Sequence, residues 1–465
     1  MIHGSLAGAA RMLSASLAGP DRDFRGVSTD TRSLRGGELF VALRGPNFDG
    51  NAFVPAAEAR GAAGALVSRL PDTALPCIQV EDTLQALGAL AADWRSRFRV
   101  PVLAVTGSFG KTTVKEMMAA ICAGRGETLA TRGNLNNEIG LPLTLFELDT
   151  RHRAAVLELG ANHAGEIARM AAICRPTVGL VTAAGPVHLE GFGSLEGVAR
   201  GKGELYTGLP EEGVAVINED DAFAPLWREM AGARRRVGFG LGPGAQFRAE
   251  HLSQSLDADG PVLEFSLVTP DGAADVRLGL PGRHNALNAV AAAATCWAGG
   301  WSLEEIVAGL GRVRGVGGRM SLRKTPGGAL LIDDTYNANP VALQAAVEYA
   351  TALPGDTWLV LGDMLELGPE SAALHAAAGR LARERGVTQL YALGPESAAA
   401  AEAFGEGRHY DDIDALGEAL AEALADASDG DVNLLVKGSR SMGLERLVER
   451  LADRPADRPT PGEGR

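Results

Sequence analysis

The most informative segment of the chain covers residues 102–113 and reads Val102-Leu103-Ala104-Val105-Thr106-Gly107-Ser108-Phe109-Gly110-Lys111-Thr112-Thr113. Its apolar start, rich in β-branched residues, predicts a buried strand that ends in a glycine-rich turn. Apolar residues then recur with helical spacing from Val114 to Cys122, and Gly124 can end that helix. A strand, a glycine loop and a helix start in this order form an anion site, because free backbone N–H groups and the helix dipole face the ligand.

The side chains of this loop suit a nucleoside triphosphate. Lys111 supplies a positive charge, Thr112 can place its hydroxyl on Mg²⁺, and Thr113 is a second hydroxyl beside it. The pattern is G-x-x-G-K-T-T from Gly107, whereas the first glycine of G-x-x-x-x-G-K-[ST] would fall at Val105. A chance Gly-Lys-Thr is the alternative, but the flanking strand and helix are the context that the motif requires. ATP or GTP is therefore the expected ligand.

Length and composition are typical of a globular protein. The chain has 465 residues, of which 46% are hydrophobic and 22% charged, and this length predicts two to four domains. The net charge of −14 argues against non-specific nucleic-acid binding, although a local basic pocket can still hold an anionic substrate. We expect a cytoplasmic protein without stable membrane insertion, because the four cysteines form no motif and neither a signal peptide nor a long apolar run is present.

The first 84 residues predict a small α/β unit with two polar clusters. The clusters contain Ser28, Asp30, Thr31 and Arg32, followed by Asp49 and Gly50. Turns with capping side chains explain any one of these residues. Hydroxyl groups beside an arginine could also hold a diphosphate or a carboxylate.

Two polar features follow the phosphate loop. Asn134, Asn136 and Asn137 place three asparagines in four residues, more than a turn needs, so we expect amides that face a polar ligand. Glu158 lies near the C-terminal end of the next apolar strand, 154–160. Ligands gather beyond such strand ends, where a carboxylate can bind Mg²⁺, and a carboxylate that caps the next helix is the alternative.

Four further residues are candidates whose local patterns leave two interpretations open. His188 follows a strand at 178–183, where a structural histidine and a ligand are about equally expected. Lys202 alone has the pattern of a solvated lysine on a helix. Asn285 and Asn288 lie one turn apart at the start of an alanine-rich helix, where they could contact a base edge or serve as a cap and a surface amide.

The remaining chain alternates strands and helices. Antiparallel strands are expected from Gly238 to Gly279, and a glycine-rich boundary at 311–318 precedes Arg319. Asp334 ends the first of four apolar strands that helical stretches separate, which predicts a second doubly wound domain. The four strands lie at 330–334, 358–363, 390–393 and 434–437.

These patterns predict an α/β protein of three domains. We expect a small α/β domain at 1–84, a central phosphate-loop ATPase domain with a mostly parallel sheet at 85–313, and a Rossmann-like α/β domain at 314–454. The tail at 455–465 is rich in Pro, Asp and Arg, which predicts disorder.

The ordered series of motifs resembles the Mur ligases, the ATP-dependent amide-forming enzymes of peptidoglycan synthesis. The similarity covers nearly the whole chain, and the short G-x-x-G-K-T loop is the family's own form. Besides the two N-terminal clusters, the phosphate loop and the asparagine loop, the motifs are Glu158-Leu-Gly-Ala-Asn, His188-Leu-Glu-Gly-Phe-Gly, Lys202-x-Glu204, His284-Asn-x-x-Asn, Asp334-x-Tyr-Asn-Ala-Asn-Pro, Gly-Asp363-Met-x-Glu-Leu-Gly and Lys437-Gly-Ser-Arg.

This resemblance implies a catalytic set of Lys111, Glu158, His188 and Lys202. The loop from Thr106 to Thr113 would hold the β- and γ-phosphates of ATP, with Lys111 as its cation. Thr112 and Glu158 would serve one Mg²⁺ and His188 a second. Lys202 matches a family lysine that is typically carbamylated, a modification that converts the cation into a metal-associated anion.

The resemblance also implies how the substrates are bound. Asn285 and Asn288 would contact the adenine side, and Arg319 and Asp334 the ribose and phosphates. The N-terminal clusters would bind a uridine nucleotide, and the asparagine loop is expected to contact substrate. The implied partners are UDP-N-acetylmuramoyl-tripeptide and D-alanyl-D-alanine, and a monomer is expected.

The implied reaction is amide formation through an acyl phosphate. A carboxylate is a poor acyl donor, so ATP first phosphorylates it, and the amine of D-alanyl-D-alanine then displaces phosphate. The chain has no Asp-Asn-Pro-Arg stretch, the family's signature for free diaminopimelate, which favours the dipeptide-adding branch. Other amide ligases of the superfamily, a phosphate-loop switch or motor, and a binding or scaffold protein are the competing interpretations.

Overall fold

The computed structural model describes residues 1–45, 48–257, 260–313, 318, 320–427 and 431–452. Within them the strands form three large sheets and two two-stranded ribbons, which confirms the predicted α/β class. Arg319 and the predicted disordered tail lie outside the described residues. Among the described helices, none is long and apolar enough to cross a membrane.

The first large sheet lies within residues 1–84. Its strand order is β2-β9-β8-β5-β4, with β2 antiparallel to β9 and the other pairs parallel. The elements of this part are β1 His3–Ser5, α1 Leu6–Met12, β2 Ser16–Ala18, β3 Asp23–Arg25, β4 Val27–Ser28, β5 Leu39–Val41, β6 Arg44–Gly45, β7 Phe48–Asp49, α2 Val54–Ala59, β8 Gly64–Val67 and β9 Cys77–Gln79. Helix α3, Thr83–Ser96, follows and leads into the second sheet.

The second sheet carries the phosphate loop. Its elements are β10 Val102–Thr106, α4 Lys111–Cys122, β11 Thr128–Ala130, α5 Gly140–Leu145, β12 Ala154–Glu158, α6 Glu166–Cys174, β13 Val178–Val181, α7 Leu189–Phe192, α8 Leu195–Thr207, β14 Val214–Asn218, α9 Ala224–Ala231, β15 Arg235–Gly240, β16 Phe247–Asp257, β17 Gly260–Thr269, β18 Gly272–Leu278, α10 Arg283–Ala298 and α11 Leu303–Leu310.

Strand order explains where the site forms. The order is β11-β12-β10-β13-β14-β15-β16-β17-β18, so β10 lies between β12 and β13 and is parallel to both. The loop after β10 therefore faces the strand ends that carry Glu158 and Thr182. In open parallel sheets this edge is where ligands bind.

One part of the strand prediction was wrong. The antiparallel pairing expected from Gly238 to Gly279 holds for β16 to β18, but β15 is parallel to both β14 and β16. Phe239 pairs with Phe247 across this junction. The side chain of Asp220 accepts the N–H groups of Leu241 and Gly242, which fixes the short connection. Alternation alone does not indicate strand direction.

The helix that follows the phosphate loop is stabilised because its apolar face packs against the core of the second sheet. Val114, Met117, Met118, Ile121 and Cys122 are all fully buried, as their spacing predicts. They join a core with the inner face of the sheet, α10 and α11. The loop is thereby fixed to a rigid helix rather than to a mobile segment.

The third sheet follows the order β19-β20-β24-β21-β22-β23 and is parallel except for β19. Apolar clusters cover both of its faces, which agrees with the doubly wound prediction. Its elements are β19 Ser321–Lys324, β20 Leu330–Asp334, α12 Pro340–Thr351, β21 Asp356–Gly362, α13 Ser371–Glu384, β22 Val387–Leu393, α14 Ala398–Phe404, β23 Arg408–Tyr410, α15 Ile413–Asp426, β24 Val432–Lys437 and α16 Glu445–Leu451.

Gly309 lets α11 pack directly on α4. A Cβ atom at this position would lie 2.4 Å from the Cα of Ile121, and a backbone atom cannot rotate away. We expect Gly309→Ala to lower the free energy of unfolding by about 1–3 kcal/mol, measured by denaturant titration. The matched control is Gly244→Ala, where no atom lies within 4 Å and a change within about 0.5 kcal/mol is expected. Equal effects of the two substitutions would contradict the packing argument.

Candidate active site

The phosphate loop depends on two glycines with positive φ. Gly107 has φ +140° and Gly110 has φ +76°, conformations that residues with a side chain rarely adopt. A Cβ at Gly107 would lie 2.0 Å from Thr182 Oγ1, and one at Gly110 would lie 2.5 Å from Asn288 Oδ1. Both glycines therefore allow neighbouring polar groups to approach the loop backbone.

Hydrogen bonds to the adjacent strand end hold the loop. Thr182 donates from Oγ1 to Phe109 O at 2.5 Å, and Ser108 N donates to Ala183 O at 2.8 Å. The Ser108 hydroxyl accepts the N–H of Gly185 at 2.9 Å. Sequence reasoning did not single out Thr182, because its role depends on β13 lying next to β10.

Thr106 does not face the ligand space. It is fully buried, and its hydroxyl donates to Leu159 O at 2.7 Å. Thr106 thus links the start of the loop to the end of β12, whereas the prediction grouped it with the residues that contact the phosphates. Lys111 begins α4 and donates from Nζ to Gly107 O at 2.7 Å, so its ammonium group lies over the loop.

Glu158 and Thr112 form the oxygen-rich part of the site. Thr112 Oγ1 donates to Glu158 Oε2 at 2.9 Å, and Asn136 Nδ2 donates to Glu158 Oε1 at 2.8 Å. Only 2% of Glu158 is exposed. A carboxylate beside a hydroxyl is the hard oxygen donor set that Mg²⁺ prefers, so these residues fit the ion. One of the three predicted asparagines is thereby brought to the predicted carboxylate.

Lys202 is not a solvated lysine. Only 1% of the residue is exposed, and Nζ donates to Ala161 O at 2.8 Å and lies 5.0 Å from the centre of the Phe192 ring. Burial and, to a smaller extent, the positive charge of Lys111 together lower the pKa of Lys202 to about 7. A large share of the amine is therefore neutral near neutral pH.

His188 connects the second sheet's loops to the third part of the chain. It has φ +54°, and its Nδ1 lies 3.1 Å from Oε2 of Glu366, which also has a positive φ. Burial lowers the pKa of His188, although the Glu366 carboxylate acts in the opposite direction. Imidazole suits softer metals better than Mg²⁺, so His188 fits that ion less well than Glu158 does.

A cavity of about 460 Å³ separates the phosphate loop and α10 from β20 and α12. The predicted residues that line it are Ser108, Phe109, Gly110, Lys111, Thr112, Thr113, Asn136, Glu158, Asn285, Asn288 and Asp334. Its lining also includes Thr182, Phe239, Leu280 and Met320, which belong to no quoted motif. It further includes His284, Tyr336 and Lys437, which belong to quoted motifs but were given no role. We call the side of the cavity at the phosphate loop its polar end and the side lined by Phe239, Leu280 and Met320 its apolar end.

The two asparagines of α10 have different environments. Asn285 is 4% exposed, donates from Nδ2 to Pro281 O at 2.6 Å, and accepts Asn288 Nδ2 at 3.1 Å. Its amide is thus largely used within the protein. Asn288 keeps Oδ1 beside Gly110 and is the member of the pair better placed to contact a ligand.

Asp334 pairs with a residue that the sequence analysis left out of the site. Its carboxylate forms an ion pair with Lys437, whose Nζ also donates to Asn337 O at 3.0 Å. Asp334 and Lys437 are opposite each other because β20 and β24 are neighbours in the sheet. Strands so far apart in the chain give no sequence signal of this pairing.

The remaining predicted site residues lie outside the cavity lining. Asp30 pairs with Arg32 at 2.7 Å, which lowers the pKa of Asp30 to about 2, and Ser28 donates to Asp30 O. Thr31 lies in this turn, and Asp49 accepts Asn51 N–H and so caps the short helix that begins at Gly50. Asn137 Oδ1 accepts Gly140 N–H at 2.8 Å, whereas Asn134 is exposed. Locally, these are the turn and cap roles of the alternative interpretation.

The fold and site together define a three-part α/β protein of the phosphate-loop class. The chain belongs to the Mur ligase family. The Mur ligase family catalytic domain matches residues 23–95, the Mur ligase middle domain 105–296, and the Mur ligase glutamate ligase domain 318–440.

Curated relatives agree with this assignment. The UDP-N-acetylmuramoyl-tripeptide–D-alanyl-D-alanine ligase of Escherichia coli is 44% identical over 96% of this chain and 98% of its own length. The enzyme of the same name from Haemophilus influenzae is 36% identical with the same coverage. Among solved structures, MurF from Acinetobacter baumannii has a TM-score of 0.91 at 35% identity, covering 97% of this chain and 99% of that chain. MurF from Thermotoga maritima, solved with ADP, has a TM-score of 0.80 at 28% identity, covering 92% and 97%.

Proposed function

We propose that the chain is an ATP-dependent ligase of cytoplasmic peptidoglycan precursor synthesis. It joins D-alanyl-D-alanine to UDP-N-acetylmuramoyl-tripeptide and gives the UDP-linked pentapeptide, ADP and phosphate. The observation that carries the proposal is the cavity between the phosphate loop and Asp334, with Glu158 and Thr112 at its polar end. End-to-end similarity to curated enzymes of this name supports the choice of substrates.

The residues at the polar end suit phosphoryl transfer to a carboxylate. Two anions must meet in this step, so Lys111 and the backbone N–H groups of the loop would neutralise and align the phosphates. Thr112 and Glu158 would hold Mg²⁺, which when bound neutralises charge on the transferring phosphoryl group. No protein nucleophile is required, because the carboxylate of the substrate attacks and the dipeptide amine later displaces phosphate.

The apolar end of the cavity suits the adenine and ribose of ATP. Asn288 and, less directly, Asn285 would read the base edge, and Asp334 with Arg319 would contact the ribose and phosphates. As the family resemblance implies, His188 would serve a second Mg²⁺, and Lys202 in its carbamylated form would supply the oxygen donors that this ion prefers. The low pKa of Lys202 supports this, because only a neutral amine reacts with carbon dioxide.

The N-terminal clusters around Arg32 and Asp49 would bind the uridine nucleotide, and the asparagine loop the peptide substrate. We further propose domain limits of 1–84, 85–313 and 314–454 and a monomer in solution.

A phosphate-loop switch or motor is the competing function, but it would leave Asn136 and the cavity wall around Asp334 without a role.

The first test is phosphate release with ATP, Mg²⁺, UDP-N-acetylmuramoyl-tripeptide, and either D-alanyl-D-alanine or single amino acids. We expect release to need both the tripeptide and the dipeptide, with one new amide by mass spectrometry. Turnover with a UDP-muramoyl-dipeptide and a free diamino acid would instead assign the preceding step of the pathway. Turnover that is indifferent to every acceptor would contradict the ligase function.

Lys111 provides a direct test of charge stabilisation. We expect Lys111→Met to lower kcat by about 10²–10³-fold, because the phosphoryl group would lose its main cationic partner. Lys324→Met, an exposed lysine on β19, is the matched control and should leave kcat unchanged. A Lys111→Met enzyme that keeps most of its kcat would show that the lysine does not act on the phosphates.

Carbamylation of Lys202 should depend on pH in a definite direction. With a pKa of about 7, the amine is protonated below that pH and neutral above it. At fixed carbon-13 bicarbonate, we expect the carbamate NMR signal to rise from about pH 6 to about pH 8 and then level off, whereas an ordinary lysine titrates near 10.4. Lys202→Arg is the control and should give no signal. A signal that appears only above about pH 9 would contradict the lowered pKa.

A further inference from the structure

A second buried lysine lies behind the phosphate loop, and the proposed function does not use it. Lys115 follows Lys111 by one helical turn on α4, and only 2% of the residue is exposed. A buried ammonium group is costly unless it is paired and hydrogen-bonded, so its contacts indicate what the charge does.

The ammonium group of Lys115 joins two elements. It donates to the carbonyl oxygen of Thr131 at 2.8 Å and forms an ion pair with the partly exposed Glu116. Thr131 opens the loop that leads from β11 to α5, the loop that carries the asparagines. Lys115 therefore ties this loop to the phosphate-loop helix.

Thr131 transmits this constraint to Glu158. Its hydroxyl accepts the backbone N–H of Glu158 at 3.0 Å, while its own N–H donates to Val156 O at 3.1 Å. Farther along the loop, Asn136 donates to the Glu158 carboxylate, and Asn136 O accepts Gly160 N–H at 2.7 Å. The loop thus holds Glu158 at its backbone and at its carboxylate.

We propose that Lys115 is a positioning residue that keeps the carboxylate of Glu158 turned toward Thr112 by holding the loop at 131–136. Lys115 itself contacts neither the phosphate loop cavity nor the Thr112 hydroxyl. Its absence would leave the buried Thr131 carbonyl without this partner and allow the loop to shift. The inference rests on the proposed function, in which Glu158 and Thr112 serve Mg²⁺.

The readout is the gain in ADP affinity that the metal provides. Calorimetry on the full chain gives the ratio of the ADP Kd in EDTA to the ADP Kd with saturating Mg²⁺. Groups that orient a metal-ligating side chain typically change metal affinity by about 10–100-fold. We expect Lys115→Met, which keeps the shape but removes the donor and the charge, to lower this ratio about tenfold.

Three further single variants and one double variant separate positioning from stability. Glu116→Gln removes the counter-charge but leaves the bond from Lys115 to Thr131, so the Kd ratio should stay within about twofold of that of the unaltered protein. Lys115→Arg keeps a positively charged donor and should retain most of the Kd ratio. Thr131→Val removes the bond to Glu158 N and should lower the ratio as Lys115→Met does. The double variant should show less than the sum of the two effects, because both act through one loop.

The outcomes distinguish the inference from the function on which it rests. A lowered melting temperature for Lys115→Met with an unchanged ratio would reduce the lysine to a stabilising role and overturn the inference, as would additive effects in the double variant. A ratio near one in the unaltered protein would instead overturn the metal role of Glu158. If Lys115→Met does not fold, Thr131→Val tests the next link, from Thr131 to Glu158, and an unchanged ratio in that variant would overturn the inference.

Discussion

The rest of the site depends on the carboxylate of Glu158, a charge that is almost fully buried. Such a group is stable only when each oxygen is satisfied, here by the Thr112 hydroxyl and the Asn136 amide. Thr112 comes from the phosphate-loop helix and Asn136 from a loop on the other side of β12. One buried charge therefore fixes two separate segments relative to each other, and it does so at the strand edge where a ligand enters.

The sequence predicts the elements of this arrangement well where the signal is local. The bounds of β20 agree with its apolar run, β12 ends two residues before the end of its run, and the buried face of α4 agrees with its helical spacing. The phosphate loop, the carboxylate of Glu158 and the asparagine loop were all predicted as parts of the site. Each prediction rests on residues close together in the chain, where periodicity and turn chemistry carry the information.

What depends on strand order could not be predicted. Lys437 reaches Asp334 only because β24 inserts between β20 and β21, and Thr182 reaches the phosphate loop only because β13 is the neighbour of β10. Burial decides two other interpretations. Lys202 has the pattern of a surface lysine yet is buried, and Asn285, for which a base contact and a capping role were both open, bonds to Pro281 O just before its helix. Residue type and spacing do not report tertiary neighbours.

Electrostatics explains how a chain of net charge −14 can attract anions at one place. The ammonium group of Lys111 lies over the loop where phosphates would lie, whereas Lys437 in the same cavity is paired with Asp334. Lys202 is near enough for the charge of Lys111 to lower its pKa, because the two positive charges repel each other. Converting Lys202 into an anion would replace this repulsion by attraction. The same burial that makes its ammonium form costly thus favours the neutral amine from which a carbamate can form.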